Sequence, residues 1–251
     1  MVTAVPLEGF PQVEAGADLG ELISTVLASG PVPERLRSGD IVVIAHKIVS
    51  KAEGRLRSLA DVTPSARALE LAGGRDPRLV QVVLEEAREI VRAAPGVIVC
   101  ETEHGFVCAN AGVDQSNVQG DDTVLMLPRD PDASARRIRA RLRALTGVAP
   151  GIVITDSFGR AWRTGQSDVA IGLAGVAALD DWRGRVDAGG REMRATVIAV
   201  ADLLAGTADL ARRKDAAQPV VLIRGAAEYV SDHDGPGVSP LLRARSQDLF
   251  R

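Results

Sequence analysis

Three short runs limit what this chain can fold into. Ile41-Val42-Val43-Ile44-Ala45, Ile152-Val153-Ile154-Thr155 and Val220-Val221-Leu222-Ile223 are almost wholly β-branched. Such side chains are stiff at χ1 and pack well on a pleated surface. A continuous apolar run, unlike strict alternation, marks a strand covered on both faces. The chain therefore needs a sheet with other elements packed around it. The remaining strand and helix patterns are mixed without strict alternation. That favours an α+β fold with a mixed sheet over a doubly wound one.

The polar residues that close these runs carry the chemical interest. Ile152–Thr155 leads into Asp156-Ser157-Phe158-Gly159-Arg160-Ala161-Trp162-Arg163. Asp156 and Ser157 should project from the strand end, with a tight turn at Gly159. A carboxylate and a hydroxyl suit a hard cation, and the guanidinium groups of Arg160 and Arg163 suit phosphate. A plain surface turn capped by Asp and Ser explains the same residues. Ile41–Ala45 leads into His46-Lys47-Ile48-Val49-Ser50-Lys51-Ala52-Glu53-Gly54-Arg55. Read as a loop, it could bring Lys47 and Lys51 to phosphates as point charges, or leave them solvated. Ala109-Asn110-Ala111-Gly112-Val113-Asp114-Gln115-Ser116-Asn117 is a third polar loop, with Asp114 as a candidate metal ligand or an Asx-turn.

Helices are expected over Ala17–Ser29, Pro64–Leu71, Asp76–Ala93 and Ala133–Leu145, the last capped by Asp132. Another is expected over Glu192–Lys214. The arginines of 133–145 and the run Glu85, Glu86, Glu89 read as solvated faces. Ala178–Asp187 reads as a strand, and the tail from Asp232 as partly ordered at most. Val97–Ala109 reads as a hairpin turning near Glu103-His104-Gly105. It carries the only two cysteines, Cys100 and Cys108, offset across the strands. They read as buried free thiols rather than a disulfide framework or a zinc site.

Several classes of function are excluded by composition or by missing motifs. The net charge is −3, which gives no basic footprint for nucleic acid. No apolar run approaches the roughly 20 residues of a membrane span. No secretory leader is visible, so the cytoplasm is the expected compartment. Neither a Gly-x-Gly-x-x-Gly nor a Gly-x-x-x-x-Gly-Lys phosphate loop occurs, and there is no Gly-x-Ser-x-Gly elbow.

Taken in order and spacing, Pro6–Pro11, Ile41–Arg55, Ala109–Asn117, Ile154–Thr164, Asp181–Arg185 with Asp187, and Pro219–Gly225 resemble the γ-glutamyl ligase family of the deazaflavin coenzyme F-420 pathway. The resemblance covers residues 1 to about 230, followed by a tail over 231–251, without the nitroreductase-like domain of longer relatives. It implies a mixed α+β fold particular to that family and an intertwined homodimer. It also implies an enzyme that uses GTP and Mg²⁺ or Mn²⁺, and allows K⁺, to join L-glutamate to the carboxylate of the deazaflavin precursor. By position, Phe10, Pro11, Gln12, Val13, His46, Lys47, Lys51 and Asn117 match nucleotide contacts. Asp114 and Asp156 match metal ligands, and Ser157 matches a residue that helps hold a second metal. The chain differs from relatives at Ala201-Asp202-Leu203 and at Arg212-Arg213-Lys214. A paralogous amide ligase for another acid, or a non-catalytic nucleotide- or deazaflavin-binding protein, would share these motifs.

Overall fold

The computed structural model describes residues 1–29, 34–116 and 122–249. The elements run β1 (Thr3–Pro6), α1 (Leu19–Ser29), β2 (Ile41–Ala45), α2 (His46–Ala52), β3 (Leu56–Ser58), α3 (Ala66–Leu71), α4 (Pro77–Glu86), β4 (Ala87–Ala94) and β5 (Val97–Thr102). They continue with β6 (Val107–Ala109), β7 (Thr123–Leu125), α5 (Pro131–Thr146), β8 (Gly151–Arg160), β9 (Arg163–Ala174), β10 (Asp180–Asp181), β11 (Val197–Ile198), α6 (Val200–Ala211) and β12 (Val220–Arg224).

The three β-branched runs become the middle of one five-stranded sheet, in the order β1-β12-β2-β8-β9. β2 and β8 are parallel and the other pairings are antiparallel, so the sheet is mixed as expected. Ile41–Ile44, Val220–Ile223 and Gly151–Thr155 are buried at every position, so both faces of these strands are covered. α5 and α6 pack on β9 and β8, and α1 packs on α5. The approach is close at Gly172 of β9, where a Cβ would strike Pro131 at the start of α5.

A second, smaller core is built from Leu59, Val62, Val80, Val83, Ile98, Cys100, Val113, Val124 and Met126. It lies under α3, α4, the β3–β7 pair and the β4-β5-β6 sheet. Asp114 belongs to this lobe, since it bridges Leu125 through backbone bonds of 3.0 and 2.8 Å. Asp156 belongs to the large sheet.

Several local expectations are corrected. His46–Ala52 is a helix, not a loop. No side chain caps its start, so its sequence signal is weak, and burial of Ile48, Val49 and Ser50 holds it in place. It ends in a Schellman turn: Gly54, at φ 66°, donates to Lys51 O (2.9 Å) and Arg55 donates to Ser50 O (2.8 Å). The helix expected over Asp76–Ala93 stops at Glu86. Residues 87–94 pair with β5 instead, through a ladder with two irregularities. Glu85, Glu86 and Glu89 are not a free solvated face, because they pair with Arg57, Arg55 and Arg245. The cap of α5 is Asp130, whose carboxylate accepts from Ala133 N (2.9 Å). Arg139 of that helix is buried. The long helix shrinks to Val200–Ala211. Ala178–Asp187 keeps only Asp180–Asp181 as strand, paired with β11. Cys100 and Cys108 are directly opposite in the β5–β6 ladder rather than offset; both are free and buried, as expected.

Candidate functional site

Asp156 does not end its strand. β8 runs five residues beyond Thr155, to Arg160, and returns as β9 through a turn at Ala161-Trp162, not at Gly159. Trp162 takes a positive φ of 63° and is 86% exposed. Arg160 and Arg163 stand at this tip, about 13 Å along the strand from Asp156 at roughly 3.3 Å per residue. Within one copy of the chain they are therefore outside the Asp156 neighbourhood. Arg160 donates to Thr164 O at 3.1 Å.

Alternation along β8 separates the two neighbouring polar residues. His46 Nε2 lies 3.2 Å from Asp156 Oδ1. The same carboxylate lies near Cys108, whose thiol is pushed up to about 12 by burial and by the charges of Asp156 and Cys100. Ser157 turns to β9, where it is the register partner of Asp168 and donates to Asp168 Oδ1 at 2.7 Å. Asp156 and Ser157 are adjacent in sequence but have different neighbours.

The residue next to His46 holds the other aspartate. Lys47 Nζ lies 2.6 Å from Asp114 Oδ2 and donates to Ser116 Oγ at 2.5 Å. Ser116 donates back to Asp114 from its backbone N and its hydroxyl, at 2.7 and 2.8 Å. Burial works against the charge of Asp114, but the Lys47 ammonium and Ser116 hold its carboxyl below the usual range. Consecutive residues of α2 thus each meet an aspartate, Asp156 of the sheet at His46 and Asp114 of the small lobe at Lys47, although the two aspartates lie 42 positions apart in sequence (156 − 114).

Asp114 is aimed by an unusual turn. Asn110, Ala111 and Gly112 take positive φ of 51°, 52° and 71° in succession. Asn110 Oδ1 accepts from Ile98 N (3.1 Å) and Arg75 Nη1 (3.3 Å), and a Cβ at Gly112 would strike Leu127. Left-handed backbone at non-glycine residues costs of order 1–3 kcal/mol and persists only where the surroundings impose it.

Lys51 lies one helical turn after Lys47. Burial, and then the charge of Lys47, lower its pKa. Two ammonium groups on one face of α2, one without an ion-pair partner among the described residues, make a place that favours an anion. The segment Phe10–Val13 wraps nearby: Gly16 N donates to Ala52 O at 2.8 Å. Phe10 packs half-buried on the large core and Val13 is buried, while Pro11 and Gln12 are exposed. Asn117 lies outside the described residues.

Sequence reasoning missed Asp168. It is 2% exposed and accepts from Thr155 Oγ1 (2.9 Å), Ser157 Oγ and the buried Arg212. Burial opposes its charge, yet Arg212, Ser157, Lys214 and Thr155 hold its pKa below the ordinary value. Lys214 Nζ donates to Ser157 Oγ (2.8 Å) and lies 2.8 Å from Asp209. Asp168 opens an apolar run in the sequence and reads there as a strand boundary. Its partners become visible only with the β8–β9 register.

The donors at the α2 face are carboxylate and hydroxyl oxygens, which are hard ligands of the kind Mg²⁺ and Mn²⁺ take. Among the described residues no group of three or more His, Cys, Asp or Glu side chains is arranged to hold a metal by itself. Two carboxylates would leave the remaining positions to water or to a phosphate-bearing substrate, as is usual for magnesium.

Residues 9–225 match the family described as F420-0:Gamma-glutamyl ligase. The chain belongs to this family. It is 46% identical over 253 residues to the Coenzyme F420:L-glutamate ligase of Methanothermobacter thermautotrophicus, covering 100% of this chain and 99% of the relative. The protein of the same name from Methanopyrus kandleri is 45% identical over 254 residues, covering 100% and 97%. That from Archaeoglobus fulgidus is 42% identical over 254 residues, covering 100% and 96%. The matched region includes both Asp114 and Asp156. Among the described residues no helix is long and apolar enough to cross a membrane.

Proposed function

We propose that this protein is a GTP-dependent ligase that joins L-glutamate to the carboxylate of the deazaflavin coenzyme precursor. The names of its relatives supply the substrate class. The observation that carries the chemistry is the set of groups around α2: Lys47 and Lys51 on one face with Asp114 paired to Lys47, and Asp156 beside the adjacent His46. A carboxylate does not condense with an amine in water unaided. In the reaction we propose, a carboxylate oxygen of the precursor attacks the γ-phosphorus of GTP and GDP leaves. The amine of glutamate then attacks the acyl carbon, the amide forms and phosphate leaves.

Each residue has a part in this scheme. Lys47 and Lys51 offset phosphate charge, and by family position Phe10–Val13, His46 and Asn117, the last outside the described residues, would contact the nucleotide. Asp114 and Asp156 would hold Mg²⁺ or Mn²⁺, with Ser157 near a second position. The metal, when bound, supplies charge neutralisation on the phosphate oxygens. The work of α2 is positioning, and positioning plus electrostatics carries most of the rate in phosphoryl transfer. An exposed, strained Trp162 at the end of a long hairpin is consistent with contact to a second copy, as a homodimer would provide.

The test is one incubation of the purified protein with GTP, Mn²⁺, L-glutamate and the glutamate-free precursor, read by mass spectrometry. The expected product carries one or more added glutamates, with GDP and phosphate released in step. Product formed equally without nucleotide would overturn the mechanism. No product from the deazaflavin acid, with product from another acid, would establish the paralogous ligase instead.

A further inference from the structure

The segment after the family-matched region packs on the rest of the molecule through much of its length, where the sequence predicts partial order at most from Asp232. It leaves β12 and is pinned first to the large sheet. Ser231 N donates to Gly175 O (3.0 Å) and Gly175 N donates to Asp234 O (2.9 Å). The buried Arg139 donates to Ser231 O and to Asp232 O (3.3 Å), and pairs with Asp234 (2.7 Å). Asp132 in the first turn of α5 accepts from Leu173 N (2.7 Å) and from Val238 N (3.1 and 3.2 Å). Gly237 fits only without a side chain, because a Cβ there would strike the Asp132 carboxylate. Val238 is buried in the large core, and Leu241 and Leu242 lie half-buried against it.

The same segment then reaches the other lobe. Leu242 Cδ1 lies 3.4 Å from the Cβ position of Gly105, in the turn between β5 and β6. Arg245 Nη1 and Nη2 donate to Glu89 of β4 at 2.7 and 3.0 Å, a two-pronged pair. One stretch, from Ser231 to Arg245, is thus anchored at the large sheet and ends on the β4-β5-β6 sheet. The two lobes it joins are those that supply Asp156 and Asp114.

We infer that residues 231–248 are a tether that sets how the small lobe sits on the large sheet, and thereby how Asp114 stands relative to Asp156. The catalytic part of this inference rests on the proposed function; the mechanical part does not. Arg245 and Leu242 touch neither aspartate, so they are positioning residues. Their contacts are at the periphery, so substitution there spares the buried anchors Arg139, Asp132 and Val238.

The experiment compares full-length wild type, Leu242→Ala with Arg245→Ala, and the charge exchange Glu89→Arg with Arg245→Glu. Two readouts are taken: hydrogen exchange of the Thr102, Gly105 and Phe106 amides, and kcat and KM for glutamate addition. The expected result for the alanine pair is about tenfold faster exchange at that turn, with kcat lowered several-fold and the melting temperature almost unchanged. The charge exchange should restore slow exchange and most of kcat, which a purely structural loss would not do. Unchanged exchange in the alanine pair overturns the tether. Faster exchange with unchanged kcat overturns its role in setting the site while leaving the proposed ligase intact. If wild type makes no product, the ligase reading fails and the exchange data alone decide the tether.

Discussion

Replacing Asp168 by Asn should be among the most damaging single changes in this chain. Arg212 is 9% exposed, and its guanidinium meets Asp168 and Thr155 Oγ1 (2.8 Å), while its Nη1 has no hydrogen-bond partner among the described residues. The amide introduced by Asp168→Asn would keep one acceptor for a hydroxyl but would leave the guanidinium buried without a counter-charge. Breaking a buried pair by removing one partner costs about 3–5 kcal/mol. Lys214, the second cation on Asp168, is largely exposed and can return to water, so it adds little. The lower half of that range is therefore expected. With a urea m-value of about 3 kcal/mol per molar, the unfolding midpoint should fall by about 1 M. Adding Arg212→Met removes the stranded charge and should recover more than half of the loss. The pH dependence has a definite sign. Because the folded pKa of Asp168 is depressed, its contribution is full above the unfolded value of about 3.9 and is lost as pH falls through the folded value. Asp168→Asn should therefore flatten the acid limb of the stability curve. A single-mutant cost below about 1 kcal/mol in urea, or strict additivity with Arg212→Met, would refute the reasoning.

Three further outcomes are expected. Lys51→Ala should weaken GTP binding by one to two decades, from loss of a charge-assisted contact of about 1.5–3 kcal/mol, with an unchanged melting temperature; equal dissociation constants by calorimetry would remove Lys51 from the site. Asn110→Ala should cost about 1–3 kcal/mol in denaturant unfolding, because Ile98 N and Arg75 lose an acceptor and alanine tolerates the left-handed turn less well. Trp162→Gly should relieve left-handed strain of about 1–2 kcal/mol, offset by the entropy cost of glycine of about 0.5–1 kcal/mol and by loss of the indole's own contacts, so its melting temperature should change little; a concentration-dependent loss of melting temperature would place Trp162 in an interface.

The sheet was legible because its middle strands are continuous β-branched runs that no helix would favour. The flanking elements were less legible wherever pairing overrode local preference. Residues 87–94 have ordinary helical composition but lie against β5 as a strand. His46–Ala52 looks like a loop because it lacks a capping side chain and carries β-branched residues, yet tertiary burial makes it a helix. The site was half legible. Asp114, Asp156, Lys47 and Lys51 could be singled out because each lies in a polar stretch of sequence close to an apolar run. Asp168 and Arg212 could not, since a lone acid in a strand acquires meaning only from the residue opposite it. Arg160 and Arg163 were misplaced for the same reason: the strand continued where its hydrophobicity stopped.

In the proposed reaction the pairings on α2 also couple the binding of nucleotide and metal. Within the chain itself Lys47 neutralises Asp114 and His46 stands against Asp156. A phosphate arriving alone would draw Lys47 away and leave Asp114 uncompensated beside new negative charge. A divalent cation arriving alone would take the carboxylates and leave Lys47 next to Lys51, whose pKa burial and then that neighbour already lower. Bound together, cation and phosphate exchange counter-ions with the protein and leave less charge unpaired than either does alone. The two ligands should therefore bind with positive coupling, typically about 1–3 kcal/mol between sites, and the coupling must be reciprocal. GTP titrated with and without Mn²⁺, and Mn²⁺ titrated with and without GTP, should show the same factor in both directions. Lys47→Met should shrink that factor, because its Asp114 is already uncompensated before the nucleotide arrives. A factor unchanged in Lys47→Met would mean that the coupling comes only from metal bound to GTP in solution, and that the lysine–aspartate pair has no part in it.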